Sequence, residues 1–279
     1  MPSTRNVACM LCNSTNPRKI KTLLIPKQNL CKCRNDGLVY LNQRLGEKEQ
    51  KEVYEKDILK NEAYYRSTFN KDTENFGRIL DIVRKFGKPE SVIDIGSSTG
   101  TFLWCCAQRN IKKLFGVEIN KASREYSKKR FGFRILSSIP KKGKFDLVNL
   151  SDVIEHLQNP LESLKDIRKL MHKNSLIAIS TPNFDSIITK LTQVKPEEHL
   201  YYFTKKTLRK TLQKAGFEAI YLKSTSRNHS VENFLLSSTV KNRMFRYAVK
   251  AILFLRLDDI TEPLIRKTKK DLLAIAKLE

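Results

Sequence analysis

The sequence predicts an α/β fold: a doubly wound, mostly parallel sheet with its last strand antiparallel, preceded by a small cysteine module. Three observations carry this. Short apolar runs recur between residues 91 and 224, and helical stretches separate most of them. Strands that alternate with helices imply a parallel sheet covered on both faces. The runs are near-continuously apolar, as strands buried on both faces must be. Finally, four of the six cysteines fall in residues 1–45, a stretch with little helical period.

Residues 1–45 are therefore read as a separate module, and 46–72 as a charged linker helix. The main domain is expected over 73–279. It opens on a helix in which Phe76, Ile79, Leu80, Val83 and Phe86 recur at helical spacing, and Gly87 and Pro89 stop it. Strands are expected at SVIDI (91–95), KLFGVEI (113–119), FRIL (133–136), FDLVNL (145–150), SLIAIS (175–180) and FEAIYLKS (217–224). Helices are expected at 100–108, 121–129, 160–171 and 204–215. In the last of these, Thr204 fits an N-cap and Gly216 the residue after the C-cap. DLLAIAKLE (271–279) reads as a final strand pairing with 217–224. Residues 225–268 then form an insertion between two antiparallel edge strands. Within it, VKNRMFRYAVKAILFLRL (240–257) has the pattern of a basic amphipathic helix. Such a helix packs on its own domain or presents a surface to RNA or an anionic membrane.

The formal net charge is +24 at pH 7. It favours polyanionic partners such as nucleic acid, anionic lipid or phosphorylated substrates, and a lysine-rich proteome gives the same total. The N-terminal MPSTRNVACMLCN has no apolar core of a secretory signal, and no apolar run approaches the ~20 residues of a membrane span. A soluble, cytoplasmic protein is expected.

The most informative stretch is VIDIGSSTG (92–100). In an open α/β sheet, ligands bind at the carboxyl ends of the strands, beside the switch point. A nicotinamide-binding turn would need G-x-G-x-x-G, but the chain has Ser98 and Thr101 where glycines are required. The pattern present is D-x-G-x-x-x-G: Asp94, Gly96 and Gly100. Here the chain resembles the class I S-adenosylmethionine-dependent methyltransferases, which have a Rossmann-like sheet and usually read D-x-G-x-G-x-G, with Ser98 standing at the middle glycine. The resemblance implies a cofactor site of Asp94, Gly96, Ser97, Ser98, Gly100, Glu118, Ile119, Ser137 and Leu150. Glu118, at the end of the second strand, can accept both ribose hydroxyls. Ser137 and Ser138 stand where the family often has an acid near the adenine.

FDLVNLSDVIEHLQNP (145–160) and PEEHLYYFTKKTLRKTLQKAGFEAI (196–220) resemble the subgroup that includes the ubiquinone-biosynthesis O-methyltransferases. That resemblance implies O-methylation of a small or lipid-linked acceptor of quinone or sugar type. Two alternatives stand beside it: an RNA methyltransferase using the cysteine module and basic surface, and a non-catalytic scaffold that keeps the fold. A hydroxyl acceptor gains from a nearby base. His156 and His199 are the candidates, since their segments lie toward the carboxyl edge of the sheet, whereas His172 and His229 do not. Asp152, Glu155 and His156 would share one helical face, as a hydrogen-bonding cluster or a divalent-metal site.

Cysteines at an intracellular N-terminus more often mean zinc than disulfides. Cys9 and Cys12 form a C-x2-C knuckle, and Cys31 and Cys33 follow. Several methyltransferases of the subgroup begin with a zinc-ribbon-like segment ending C-x2-C-G-L-V-Y, which aligns Cys33 and Asp36 with the third and fourth ligands. The resemblance thus implies a structural zinc set of Cys9, Cys12 and Cys33 completed by Cys31 or by Asp36, with a degenerate knuckle as the alternative. Cys105 and Cys106 are expected in the core.

Overall fold

The computed structural model describes residues 4–20, 29–46, 49–50, 62–196, 198–226 and 269–279. The expected amphipathic helix at 240–257, and the insertion beyond residue 226, lie outside the described residues.

The N-terminal module holds five short strands: β1 (Thr4–Arg5), β2 (Arg18–Lys19), β3 (Leu30–Lys32), β4 (Val39–Leu41) and β5 (Arg44–Leu45). Helix α1 (Glu62–Val83) follows. It is continuous across residues 72 and 73, so the expected linker boundary falls inside a helix. Its face with Ile79, Leu80 and Val83 is buried against Phe102, Cys105 and Cys106.

The main domain then runs β6 (Ser91–Ile95), α2 (Thr101–Ala107), β7 (Lys113–Val117), α3 (Lys121–Phe131), β8 (Ile135–Leu136) and β9 (Phe145–Ser151). A 3-10 turn (Ile154–His156) leads to α4 (Pro160–Arg168), β10 (Met171–Pro182), α5 (Ile187–Thr192), β11 (Tyr201–Tyr202) and α6 (Lys205–Lys214). The chain ends with β12 (Phe217–Thr225) and β13 (Asp271–Leu278). All six expected strands and the final one are present, and the third is cut to Ile135–Leu136. Thr204 caps α6 with a reciprocal capping box to Thr207, and Gly216 follows its C-cap at φ 78°.

Seven strands form one sheet in the order β12-β13-β10-β9-β6-β7-β8. The pairs from β10 to β8 are parallel, while β13 runs antiparallel to both β10 and β12. One expectation needs correction: β13 is not an edge strand. It inserts between β12 and β10, which explains why Asp271 through Ala276 are all buried. Strand β6 lies between β7 and β9, so the chain order reverses there, and VIDIG delivers its turn to the switch point.

The cysteine module is not separate either. β11, from the stretch before α6, adds antiparallel to β4 and completes a four-stranded sheet β11-β4-β3-β2. Leu41 N–H donates to the Leu200 carbonyl at 2.8 Å. On the module's other side, Lys210 Nζ lies 3.5 Å from Asp36 Oδ1, and Lys214 Nζ donates to the Leu11 carbonyl. Cys9, Leu11, Leu38 and Tyr40 share one core with Leu208, Leu212 and Phe217. Among the described residues, no helix is long and apolar enough to cross a membrane.

Candidate active site

The glycine turn is built from backbone geometry. Gly96 and Gly100 adopt φ 74° and 82°, in the left-handed region that glycine enters without penalty. A Cβ on Gly96 would stand 2.4 Å from Val153 Cγ2. Ser98 also adopts a positive φ of 45°, so serine takes up the turn that the middle glycine makes in the motif. The Gly96 and Ser97 amides donate to the Val117 carbonyl at 2.8 and 2.9 Å, and the Gly100 amide donates to Ser97 O at 2.8 Å.

Glu118 ties this turn to the end of β7. Its Oε2 accepts from the Ser98 amide at 2.9 Å and its Oε1 from the Asn120 amide at 2.8 Å. Backbone donors to a carboxylate make short, strong bonds and fix both oxygens. A carboxylate has about four acceptor positions, so each oxygen keeps capacity for a ligand hydroxyl. The side chain is only 8% exposed. Asp94 lies deeper and accepts from Asn149 Nδ2 at 2.7 Å. Burial pushes its carboxyl up to about 7; the Asn149 bond works against that and the Glu118 charge adds to it. The two acids are close enough for the Glu118 charge to raise the Asp94 pKa. Ser97 Oγ is buried and meets no partner among the described residues.

Of the other expected cofactor residues, Ile119 is 44% exposed beside Glu118, and Ser137 is exposed after β8. Leu150 is fully buried in the core with Ile95 and Ile179. Asn149, one position earlier and in register with Asp94, is the residue that sequence reasoning missed. Its signal was a lone amide inside the apolar run FDLVNL.

The two candidate histidines, far apart in sequence, are brought together. The His156 and His199 rings meet edge to face with centroids 4.7 Å apart. His156 Nδ1 pairs with the Glu198 carbonyl at 2.9 Å and His199 Nδ1 with the Gln193 carbonyl at 3.0 Å. A carbonyl only accepts, so Nδ1 carries the proton and Nε2 the lone pair in each neutral ring. The shared helical face expected for Asp152, Glu155 and His156 does not form. Asp152 turns to φ 55°, and only Ile154–His156 is helical, as a 3-10 turn. Glu155 Oε2 accepts from Thr181 Oγ1 at 2.9 Å, and ligand atoms of Glu155, His156 and His199 lie within 4.8 Å of one another, a spacing that could hold a metal ion.

Burial lowers the pKa of His156, against a raising hydrogen bond to Glu198. Burial also lowers that of His199, well below 6.5, helped by repulsion from His156 and Lys195. The unfolded chain thus takes up these protons at higher pH than the folded one. Their contribution to stability is intact above the ordinary histidine value of 6.5 and is lost as pH falls below it toward the folded values. Each unit of lowering is worth about 1.4 kcal/mol. His199→Gln is expected to flatten the fall in Tm between about pH 7.5 and 5. A variant that falls as steeply as wild type would show that His199 is not held neutral by the fold.

In the module, the ligand atoms of Cys9, Cys12, Cys33 and Asp36 all lie within 4.8 Å of one another. Cys12 Sγ is 3.5 Å from Cys33 Sγ, and Asp36 Oδ2 is 3.7 and 3.6 Å from Cys9 and Cys33 Sγ. A tetrahedron with metal–sulfur bonds of about 2.3 Å has edges of about 3.7 Å, so these four groups could hold zinc. Cys31 stands apart from the group, in β3, paired with Lys19 and Tyr40. Cys105 and Cys106 are buried, as expected.

The family profile described as a methyltransferase domain matches residues 69–222, more than half of the chain. The chain belongs to that methyltransferase family. That makes it an enzyme, and the non-catalytic scaffold is set aside. The match runs from α1 to β12 and contains the glycine turn, Glu118 and both histidines. An uncharacterized protein of Methanocaldococcus jannaschii is 24% identical over 179 residues, covering 61% of this chain and 79% of its own length. A SAM-dependent methyltransferase from Archaeoglobus fulgidus shares the fold with TM-score 0.54 and 22% identity, over 77% of this chain and all of the other. A plantazolicin methyltransferase solved with SAH matches with TM-score 0.52 and 15% identity, over 83% and 97% of the two chains.

Proposed function

We propose that this methyltransferase takes S-adenosylmethionine as donor and methylates an oxygen on a small or lipid-linked acceptor of quinone or sugar type. The observation that carries the donor is the Glu118 carboxylate, fixed by two backbone amides at the end of β7. It has the right charge and remaining capacity for paired ribose hydroxyls. The Asp94–Asn149 pair and the turn from Gly96 to Gly100 complete the cradle, and Val153 packs so close to Gly96 that a side chain there would displace the turn. The two acids suit the cationic donor, whose contribution when bound is an electrophilic methyl group on a sulfonium.

The chain's own part is alignment and proton transfer. Holding two reactants in line supplies up to roughly 7–11 kcal/mol of a barrier. His156 presents Nε2 as acceptor for a hydroxyl proton while Nδ1–H is anchored to the Glu198 carbonyl. His199 packs against its ring and opposes rotation. Zinc, held by Cys9, Cys12, Cys33 and Asp36, is structural: four protein ligands leave no open position. It would rigidify the module that β11 and α6 tie to the histidine segments.

Labelled methyl donor offered to a panel of phenolic, sugar, lipid-linked and RNA acceptors tests this reading. Label on a hydroxyl, with His156→Ala lowering kcat by about 100-fold or more, is the expected result. Label on RNA, with binding that weakens steeply with salt, would overturn the acceptor class.

A further inference from the structure

Among the described residues, Arg44 carries a positive charge without a counter-ion. Its side chain is 5% exposed. Nη2 donates to the Gln158 carbonyl at 2.6 Å, and the guanidinium lies 5.1 Å from the centre of the Tyr201 ring. Nε and Nη1 are buried and meet no acceptor. A buried charge normally has both an opposite charge and a full set of hydrogen bonds, and leaving it without them is costly. Arg44 has neither.

The strand opposite deepens the imbalance. Arg5 faces Arg44 directly in the β1–β5 register, and like charges so placed repel. Arg5 Nη2 reaches Gln158 Oε1 at 3.4 Å. One glutamine therefore receives both arginines, through its carbonyl and through its side chain. Among the described residues the ion pairs involve other groups. Tyr40 Oη is likewise buried without a partner, and its ring lies 6.4 Å from that of Tyr201.

The position of this charge is informative. Gln158 follows His156 on the segment after β9, and Tyr201 follows His199 on the segment before α6. Each of Arg44's two contacts is therefore two residues along the chain from a candidate histidine. Arg44 itself lies on a ribbon of two strands of two residues each, a unit of marginal stability.

We propose that Arg44, with Arg5, forms a subsite for an oxyanion on the methyl acceptor, a carboxylate or phosphoryl group. This rests on the acceptor side proposed above and narrows it to anionic acceptors. The guanidinium offers five N–H donors in a fixed plane, the geometry suited to carboxylate and phosphate. The bound oxyanion neutralises Arg44 and relieves its repulsion with Arg5.

The test uses the full chain, with inorganic phosphate, acetate and a hexose monophosphate against the matched neutral hexose. Binding is read by calorimetry and by the arginine Nε–Hε resonances. S-adenosylhomocysteine is titrated in parallel. Phosphate and hexose phosphate are expected to shift the Arg44 resonance, the hexose phosphate binding more tightly, and Arg44→Gln to weaken both by about tenfold or more. Arg5→Gln, an exposed change, should weaken both less and serves if the Arg44 variant does not fold. No response of the Arg44 resonance while S-adenosylhomocysteine binds would overturn the subsite alone. Equal binding by wild type and Arg44→Gln would assign the anion to other basic surface and also overturn it. Hexose phosphate no tighter than free phosphate would overturn the assignment to an acceptor. Failure of S-adenosylhomocysteine to bind would instead strike the donor reading.

Discussion

Gly96→Val is expected to abolish binding of S-adenosylhomocysteine while leaving the rest of the sheet folded. Two effects combine. Gly96 sits at φ 74°, where a β-branched residue is strongly disfavoured. Its Cβ would also lie 2.4 Å from Val153 Cγ2, far inside contact distance. Val153 precedes the 3-10 turn of Ile154–His156, so it cannot retreat without moving the histidine segment. Gly96 N–H bonds the Val117 carbonyl, and a displaced turn would carry Ser98 away from Glu118. Calorimetry on the purified variant, with circular dichroism to establish folding, reads the outcome. Normal affinity would mean that VIDIGSSTG is not the cofactor turn.

The second large effect concerns the metal. About one zinc per chain is expected, lost in Cys9→Ser, Cys12→Ser and Cys33→Ser and retained in Cys31→Ser. The distinction follows from geometry. Cys33 Sγ lies 3.6 Å from Asp36 Oδ2, whereas Cys31 is turned into the β2–β3–β4 ladder. Structural zinc in small modules contributes apparent binding energies of about 10–16 kcal/mol, and this is folding energy. Its loss should loosen the module first and expose amides of β3 and β4 to hydrogen exchange. Because Asp36 also pairs with Lys210 of α6, part of the loosening should reach the His199–Tyr202 segment. Metal analysis of protein purified without added zinc checks this. Retention in Cys33→Ser with loss in Cys31→Ser would contradict the assigned ligand set.

The sheet was legible because its signals are local. Val92, Ile93 and Ile95 had to be buried, and Asp94 followed by two glycines had to end that strand. Glu118 stood out because an acid closing an apolar run is anomalous. Thr204 and Gly216 marked both ends of α6 by their capping chemistry. What escaped was long-range. Nothing within Tyr201–Tyr202 announces a partner in Val39–Tyr40, because a two-residue strand carries no period. The final run DLLAIA was recognised as a strand, but its continuous burial, which marks an inner position, was not weighed. Asn149, beside Leu150, carries a polar contact to Asp94 that only strand pairing reveals. The choice between Cys31 and Asp36 depended on where β3 ends, a boundary that spacing alone does not fix. The unbalanced charge of Arg44 was invisible, because the lack of a counter-ion is a property of the packed fold.

The central claim is that the turn at Gly96 and the carboxylate of Glu118 form one cofactor site. Calorimetric titration of S-adenosylhomocysteine into wild type and Glu118→Ala tests it most directly. The account predicts one saturable site per wild-type chain and a loss of about 1–3 kcal/mol in the variant, the scale of a charged hydrogen bond removed from a buried polar partner. Unchanged affinity in folded Glu118→Ala, or no binding to folded wild type, would contradict it.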